Sequence, residues 1–173
     1  MSTWDSMTLR QQAAYFLVLS EVAIARKLLQ TKEVALAREA LTLGWAGWNL
    51  QNVDYMRFDT LAVNEYDRDL FDALSSSEDT AEEAAWGCVM DMLGYIGYYF
   101  TQSRGISPVP QSIENVRAVD VRAEFDSYFD QVVQLAGRVR SQVITVIANT
   151  SQDQLTQGFL MDLVSQSVSS PES

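Results

Sequence analysis

Three carboxylates, Asp67, Asp69 and Glu78, stand at the first, third and twelfth positions of the calcium-binding loop pattern. Such loops take oxygen ligands at these positions and need a glycine at the sixth for a sharp turn. Here the fifth position is Phe71 and the sixth is Asp72, so the pattern argues against calcium. The sequence also has no histidine, which is the commonest metal ligand and general base. We predict that the protein holds no metal and no cofactor.

The single cysteine, Cys88, is the most nucleophilic side chain that the sequence offers. It lies in an apolar stretch with no histidine to activate it, so the better interpretation is an inert thiol. The sequence has no glycine-rich phosphate loop, serine-centred elbow or Cys-x-x-Cys motif, and we predict that the protein is not an enzyme.

A lone cysteine favours a reducing compartment, and the start MSTWDSMTLR does not resemble a signal peptide. We therefore predict a cytoplasmic protein.

Negative charge is concentrated in one part of the chain, the acidic segment, residues 54 to 83. The 173 residues carry a net charge of −11, and this segment alone carries −8. This balance argues against binding to nucleic acid. The segment is either a solvated face or a recognition surface for a basic protein, because concentrated charge speeds association and interleaved aromatic side chains can anchor a complex. The predicted partner-binding residues are Asp54, Tyr55, Phe58, Asp59, Glu65, Tyr66, Asp67, Asp69, Phe71, Asp72, Glu78 and Asp79.

The spacing of apolar residues predicts an all-α fold. The chain has 8 glycines and 3 prolines, so turns are few, and apolar residues recur at helical spacings of three and four. We predict a single-domain bundle of about six helices over residues 1–167, followed by a disordered tail at 168–173. The helices are expected at 6–30, 32–49, 53–79 (as one or two short helices), 80–103, 117–148 (with Gly137 as a candidate break) and from Ser151 to about 167.

The nearly continuous apolar stretch AAWGCVMDMLGYIGYYF, residues 84–100, carries one charge, Asp91. It is shorter than the roughly 20 residues that span a bilayer, so we predict a central, buried helix and no binding to membranes. One strip of this helix combines small residues with the charge, namely Gly87, Asp91, Gly94 and Tyr98. The strip predicts close approach of a neighbouring helix. Because a buried carboxyl group without a partner is costly, we expect an arginine or a tyrosine hydroxyl beside Asp91.

Several short sequences occur in an order that resembles a known group of proteins. The sequence EALTLGWAGWNL precedes a short acidic segment, a helix that opens with AAW and closes with YIGYYFTQ, and the turn VPQSIENV. From residue 36 to about 130 this order is similar to the all-helical immunity proteins of bacterial polymorphic toxin systems. The resemblance implies a cytoplasmic protein that binds and blocks a cognate toxin without chemistry of its own. Together with the acidic segment, it predicts a toxin with a basic cleft, such as a nuclease.

Two other functions fit the same sequence. One is a helical scaffold or adaptor that binds some other basic protein, and a toxin gene next to this one would argue against it. The other is a small-ligand-binding bundle or a carboxylate enzyme, in which the glycine strip and Tyr95, Tyr98 and Tyr99 line a pocket. A cavity beside Asp91 would favour this second option, and a filled core would argue against it.

Overall fold

The computed structural model describes residues 3–62, 69–116 and 120–169. Within these ranges the chain forms nine α-helices, one short 3-10 helix at Trp4–Ser6 and no β-strand, which confirms the predicted all-α class. The α-helices are α1 (Leu9–Lys27), α2 (Val34–Trp48), α3 (Met56–Ala62), α4 (Leu70–Ser75), α5 (Thr80–Arg104), α6 (Gln111–Asn115), α7 (Val121–Val132), α8 (Ala136–Asn149) and α9 (Gln157–Ser169).

The predicted number of about six helices is too low for three reasons. The region 53–79, for which the sequence allowed one or two short helices, contains two, α3 and α4. The proline-rich turn after α5 contains the short helix α6, which the sequence pattern did not indicate. The region 117–148 holds both α7 and α8, but the break is at Leu135, which has a left-handed φ of 54°, and Gly137 already lies inside α8.

Helix α5 is central, as predicted for residues 84–100. It packs against α1, α2, α3, α4, α6 and α7, and most of its side chains in that range are buried. The Asp79 side chain caps its N-terminus by accepting hydrogen bonds from the backbone N–H groups of Ala81 and Glu82. The helix ends at Arg104 and is followed by Gly105, whose positive φ of 63° is readily adopted by glycine.

Helix α1 is a second central helix. The structure buries every residue from Ala13 to Ser20, and α1 packs against α2, α5, α7, α8 and α9. The Ser20 hydroxyl donates a 3.0 Å hydrogen bond to the backbone carbonyl of Cys88 on α5, which satisfies a polar group at the contact between the two helices. The pair formed by α1 and α5 therefore makes the centre of the fold, where the sequence indicated α5 alone.

Helix α9 begins and ends later than predicted. Ser151 and Gln154 lie in a turn, where the Ser151 hydroxyl donates a 2.9 Å hydrogen bond to Oε1 of Gln154, and the helix starts only at Gln157. It ends at Ser169, so the first two residues assigned to the tail are helical, and residues 170–173 lie outside the described ranges. None of the helices that the structure describes is long and apolar enough to cross a membrane.

Candidate functional site

The structure places the twelve predicted partner-binding residues in three different situations. Glu65, Tyr66 and Asp67 lie outside the described residues. Phe58 and Asp69 are buried, with 2% and 5% of their surface exposed. The remaining seven are exposed or half-buried, and they are Asp54, Tyr55, Asp59, Phe71, Asp72, Glu78 and Asp79.

Phe58 belongs to the core, which corrects the expectation of an exposed aromatic anchor at this position. Its ring centroid lies 5.8 Å from that of Phe100 on α5. Gly47 on α2 leaves room for the ring, because a Cβ atom at Gly47 would come within 2.6 Å of Cζ of Phe58. Phe58 therefore helps to fix α3 on α2 and α5, so its main role is in packing.

Three of the predicted acids cap helices. Oδ1 of Asp69 accepts a 2.8 Å hydrogen bond from the N–H of Asp72 at the start of α4, and Asp79 caps α5 in the same way. Asp54 accepts a 3.0 Å hydrogen bond from the N–H of Met56 at α3. Capping is a common role of aspartate, so three of the acids in the acidic segment have a structural role at the starts of helices. Asp54 and Asp79 remain exposed, whereas Asp69 is enclosed, which corrects its expected place on the surface.

We define the acidic surface as the exposed members of the predicted set, namely Asp54, Phe71, Asp72, Glu78 and Asp79. Phe71 is the apolar residue of this surface, and 52% of its surface is exposed. Tyr55 and Asp59 are half-buried, and Asp59 accepts a hydrogen bond from the Ser112 hydroxyl, which links α3 to α6. The acidic surface therefore carries four carboxylates and one exposed aromatic ring.

Basic side chains lie close to part of the acidic segment. Glu78 lines a shallow surface depression together with Lys27, the last residue of α1, and Lys32, in the turn that follows α1. In α3, Arg57 forms an exposed ion pair with Glu39 of α2. These bases offset part of the negative charge in space, so the field near Glu78 is weaker than the charge of the segment suggests.

A pocket of about 240 Å³ opens between α3, α5, α6 and α7, and we call it the α5–α7 pocket. Its walls are mainly apolar, and two carboxyl groups line it. The lining residues used below are Phe58, Met90, Asp91, Gly94, Val116, Val121 and Glu124. The sequence singled out Asp91 and Gly94 through the strip on α5, but it gave no signal for Val116 or Glu124, because these come from elements far along the chain.

Asp91 lacks the partner that the sequence led us to expect. Its Oδ2 atom is buried, and no donor among the described residues hydrogen-bonds to it, so the prediction of an arginine or tyrosine partner is wrong. Burial, and after it the negative charge of Glu124, raises the pKa of Asp91 to about 8. The carboxyl group is therefore mostly protonated at neutral pH.

The glycines of the α5 strip have two different neighbours. A Cβ atom at Gly87 would lie 2.7 Å from Cδ2 of Tyr128 on α7, so Gly87 permits the predicted close approach. Among the described residues, a Cβ atom at Gly94 would meet Cγ2 of Val116 alone, at an ordinary 3.5 Å. The strip therefore packs tightly against α7 at one end and borders the α5–α7 pocket at the other.

The ion pairs of Asp126 fix α7, and with it the wall of the pocket that contains Glu124. Asp126 accepts a 2.7 Å hydrogen bond from the Tyr15 hydroxyl of α1 and pairs at 2.9 Å with Arg140 of α8. Arg140 also pairs with Asp130 at 2.8 Å. Burial and then the negative charge of Asp126 raise the pKa of Tyr15 well above its ordinary value, so the phenol stays a hydrogen-bond donor. This cluster is structural, because each charge in it already has a partner.

Other chemistry has little support in the structure. Cys88 is buried, and burial raises the pKa of its thiol, so a reactive thiolate is disfavoured. No group of three or more acidic or cysteine side chains suited to a metal ion occurs in the part of the chain that the structure describes.

The fold defines an all-helical protein over the described ranges, and a comparison with protein families then gives its family. The model of the family described as "Immunity protein Imm6" matches residues 11–134, and the chain belongs to this family of immunity proteins. The match begins inside α1, so the likeness extends further toward the N-terminus than the resemblance over residues 36 to about 130 indicated. No curated protein and no solved structure matches the chain.

Proposed function

We propose that this protein binds a cognate protein toxin through its acidic surface and thereby neutralises it, as part of a bacterial polymorphic toxin system. Membership of the immunity-protein family over residues 11–134 is the observation that carries this proposal. The net charge of −11 supports a toxin with a basic surface, such as a nuclease. On this proposal the protein acts in the cytoplasm as a stoichiometric inhibitor and performs no catalysis.

The acidic surface supplies two kinds of interaction for such a complex. Its carboxylates steer a basic partner, which raises the association rate by about 10- to 1,000-fold. Phe71, with 52% of its surface exposed, offers an aromatic side chain of the kind that anchors interfaces and slows dissociation. Because Phe58 and Asp69 are buried, neither contributes to this exposed surface.

Co-expression with the neighbouring reading frame tests the proposal. We expect growth to stop when that frame is expressed alone, to resume when this protein is co-expressed, and a stable pair to co-purify. A matched control expresses a toxin variant without activity, which still co-purifies but needs no rescue. Toxicity that persists although this protein is abundant and soluble in the same cells would contradict the proposal.

A small-ligand-binding function remains the second candidate, because a cavity does exist beside Asp91. Its volume of about 240 Å³ is below the roughly 300–1,000 Å³ typical of ligand pockets. The pocket is therefore better matched to one side chain than to a cofactor or a drug-sized substrate. Saturable binding of a metabolite by the purified protein, in the absence of any toxin, would favour this candidate.

A further inference from the structure

We propose that the α5–α7 pocket receives one arginine or lysine side chain of the toxin, with the cationic end placed against Asp91 and Glu124. This inference rests on the proposed function and adds a second contact site to it. The residues of the acidic surface lie just before α3, on α4 and just before α5, whereas the pocket lies between α3, α5, α6 and α7.

The walls of the pocket match the two parts of such a side chain. Arginine and lysine combine an apolar stem with a charged head. Phe58, Met90 and Val116 provide apolar contacts for the stem. Asp91 and Glu124 provide carboxyl groups for the head, and a charge-assisted hydrogen bond to a carboxylate is among the strong ones.

The lack of a hydrogen-bond partner for Asp91 is a second, independent reason to expect a cation in the pocket. Its Oδ2 atom is buried and accepts no hydrogen bond from the described residues. Leaving a buried polar atom unpaired destabilises a fold, so such atoms are uncommon without a functional reason. A guanidinium or ammonium group in the pocket would satisfy this atom after a rotation of the Asp91 carboxyl group, because the oxygen itself is buried and the space for the cation is already present beside the residue.

The groups around Asp91 make proton release an additional signature. Among the described residues, the titratable side chains near it are Glu124 and Tyr128 of α7 and Cys88 of α5, and the residues of α3 and α6 that line the pocket, such as Phe58, are uncharged. A cation favours the ionised form of Asp91. Binding of a permanent cation at neutral pH should therefore release a proton, which a structural role of Asp91 would not produce.

Side-chain analogues test the pocket directly on the full-length protein. The probe is n-butylguanidinium, and n-butylurea is its neutral control of nearly the same shape. We expect saturable shifts of the methyl resonances of Met90, Val116 and Val121 with the guanidinium and much weaker binding of the urea. Titration calorimetry in two buffers of different ionisation enthalpy should detect the released proton. Equal binding of both probes, or shifts confined to other residues, overturns the inference.

Variants separate the charge of the pocket from its shape. Asp91→Asn should weaken n-butylguanidinium binding about tenfold or more, and Glu124→Gln should weaken it by less. Gly94→Leu should block the probe by filling the pocket with a side chain. Asp162→Asn, an exposed acid on α9, is the matched control and should change nothing. Unaltered binding by Asp91→Asn overturns the inference.

The toxin itself then distinguishes failure of this inference from failure of the proposed function. We expect a complex with the toxin to exclude n-butylguanidinium and Asp91→Asn to weaken the complex about tenfold, with no effect of Asp162→Asn. A tight complex in which the probe still enters the pocket overturns the inference and leaves the proposed function intact. A toxin that does not bind at all overturns both, and the probe titration then shows whether the pocket accepts a cation in its own right.

Discussion

At Asp91, a carboxyl group is placed at the edge of the core without the hydrogen bonds that usually compensate burial. Its Oδ2 atom has no partner among the described residues, and Glu124 adds a second carboxyl group to the same pocket. Burial of Asp91 and, after it, the negative charge of the exposed Glu124 disfavour the ionised form of Asp91. This explains why the pKa of Asp91 rises to about 8, and it makes the residue a source of pH-dependent stability.

The pH dependence of unfolding tests this assignment. The pKa of Asp91 is about 8 in the folded state, whereas its ordinary value, which we take for the unfolded chain, is 3.8. The folded protein therefore binds the proton of Asp91 more tightly than the unfolded chain does. The contribution to stability is complete below about pH 4 and is lost as the pH rises through 8. At about 1.4 kcal/mol per pKa unit, the loss amounts to several kcal/mol.

Asp91→Asn removes this pH-dependent contribution to stability, since the amide side chain does not ionise in this pH range. We expect the stabilities of wild type and variant, from urea denaturation, to diverge progressively between about pH 4 and pH 8, the two pKa values of Asp91, with the variant gaining relative stability at the higher pH. Asp162→Asn should instead follow the wild type throughout. Parallel pH curves for Asp91→Asn and wild type would show that the carboxyl group is solvated in the folded protein.

At the scale of the element, α5 uses its glycines for two purposes. Gly87 allows the Tyr128 ring of α7 to lie directly against the helix backbone, whereas a Cβ atom at Gly94 would make one ordinary contact with the part of the chain that the structure describes. The sequence alone does not show which glycine has which role, because both are interior glycines on the same strip of α5. The difference comes from the neighbouring elements, since α7 packs closely beside one glycine and the pocket opens beside the other.

Alanine substitutions at the two glycines should have different effects on stability. Both changes gain about 1 kcal/mol of helix propensity, so the difference between them reports on packing. At Gly87 the added Cβ would displace the Tyr128 ring, 2.7 Å away, and overpacking of this kind typically costs about 1–3 kcal/mol. At Gly94 the added Cβ would lie 3.5 Å from Cγ2 of Val116, its one close neighbour among the described residues, so the propensity gain should remain.

We therefore expect Gly94→Ala to raise the free energy of unfolding by about 0.5–1 kcal/mol and Gly87→Ala to leave it unchanged or lower it. Urea denaturation of both variants under one set of conditions gives the comparison. The proposed difference in packing is wrong if the two substitutions shift the unfolding midpoint by the same amount and in the same direction.

At the scale of the whole molecule, the distribution of charge in space differs from its distribution along the chain. The acidic segment holds −8 of the net −11, but Asp69 is enclosed at the start of α4, and Glu78 shares a depression with Lys27 and Lys32. The surface that can steer a partner is therefore smaller than the sequence suggests. Asp72 is one of its exposed acids and is a suitable site for charge reversal.

Charge reversal tests the steering role of the acidic surface. The double variant Asp72→Lys/Glu78→Lys should lower the association rate with the toxin by about tenfold or more, because long-range attraction accelerates encounter. The wild-type rate should also fall steeply with ionic strength. The matched control, Asp153→Lys/Asp162→Lys, changes the net charge by the same amount on other exposed positions and should have a smaller effect, as stopped-flow kinetics can show. Equal effects of both double variants would mean that only net charge matters.

The sequence by itself determined the helical class, the central position of α5 and membership of an immunity-protein lineage. Helical periodicity, capping residues and few turn formers are local properties, so a single chain segment carries enough information for them. The sequence also identified the strip of α5 that contains Asp91 and Gly94. The domain limits and the binding role of the exposed acids stay predictions.

Only the tertiary structure decided which predicted residues reach the surface and where a pocket forms. Phe58 and Phe71 have the same side chain and both lie within the acidic segment, yet one is buried and the other is half exposed, because α3 packs Phe58 against α2 and α5. The pocket joins Asp91 to Glu124 across 33 positions of the chain. Contacts between distant segments depend on how whole helices pack, and helix periodicity carries no information about them.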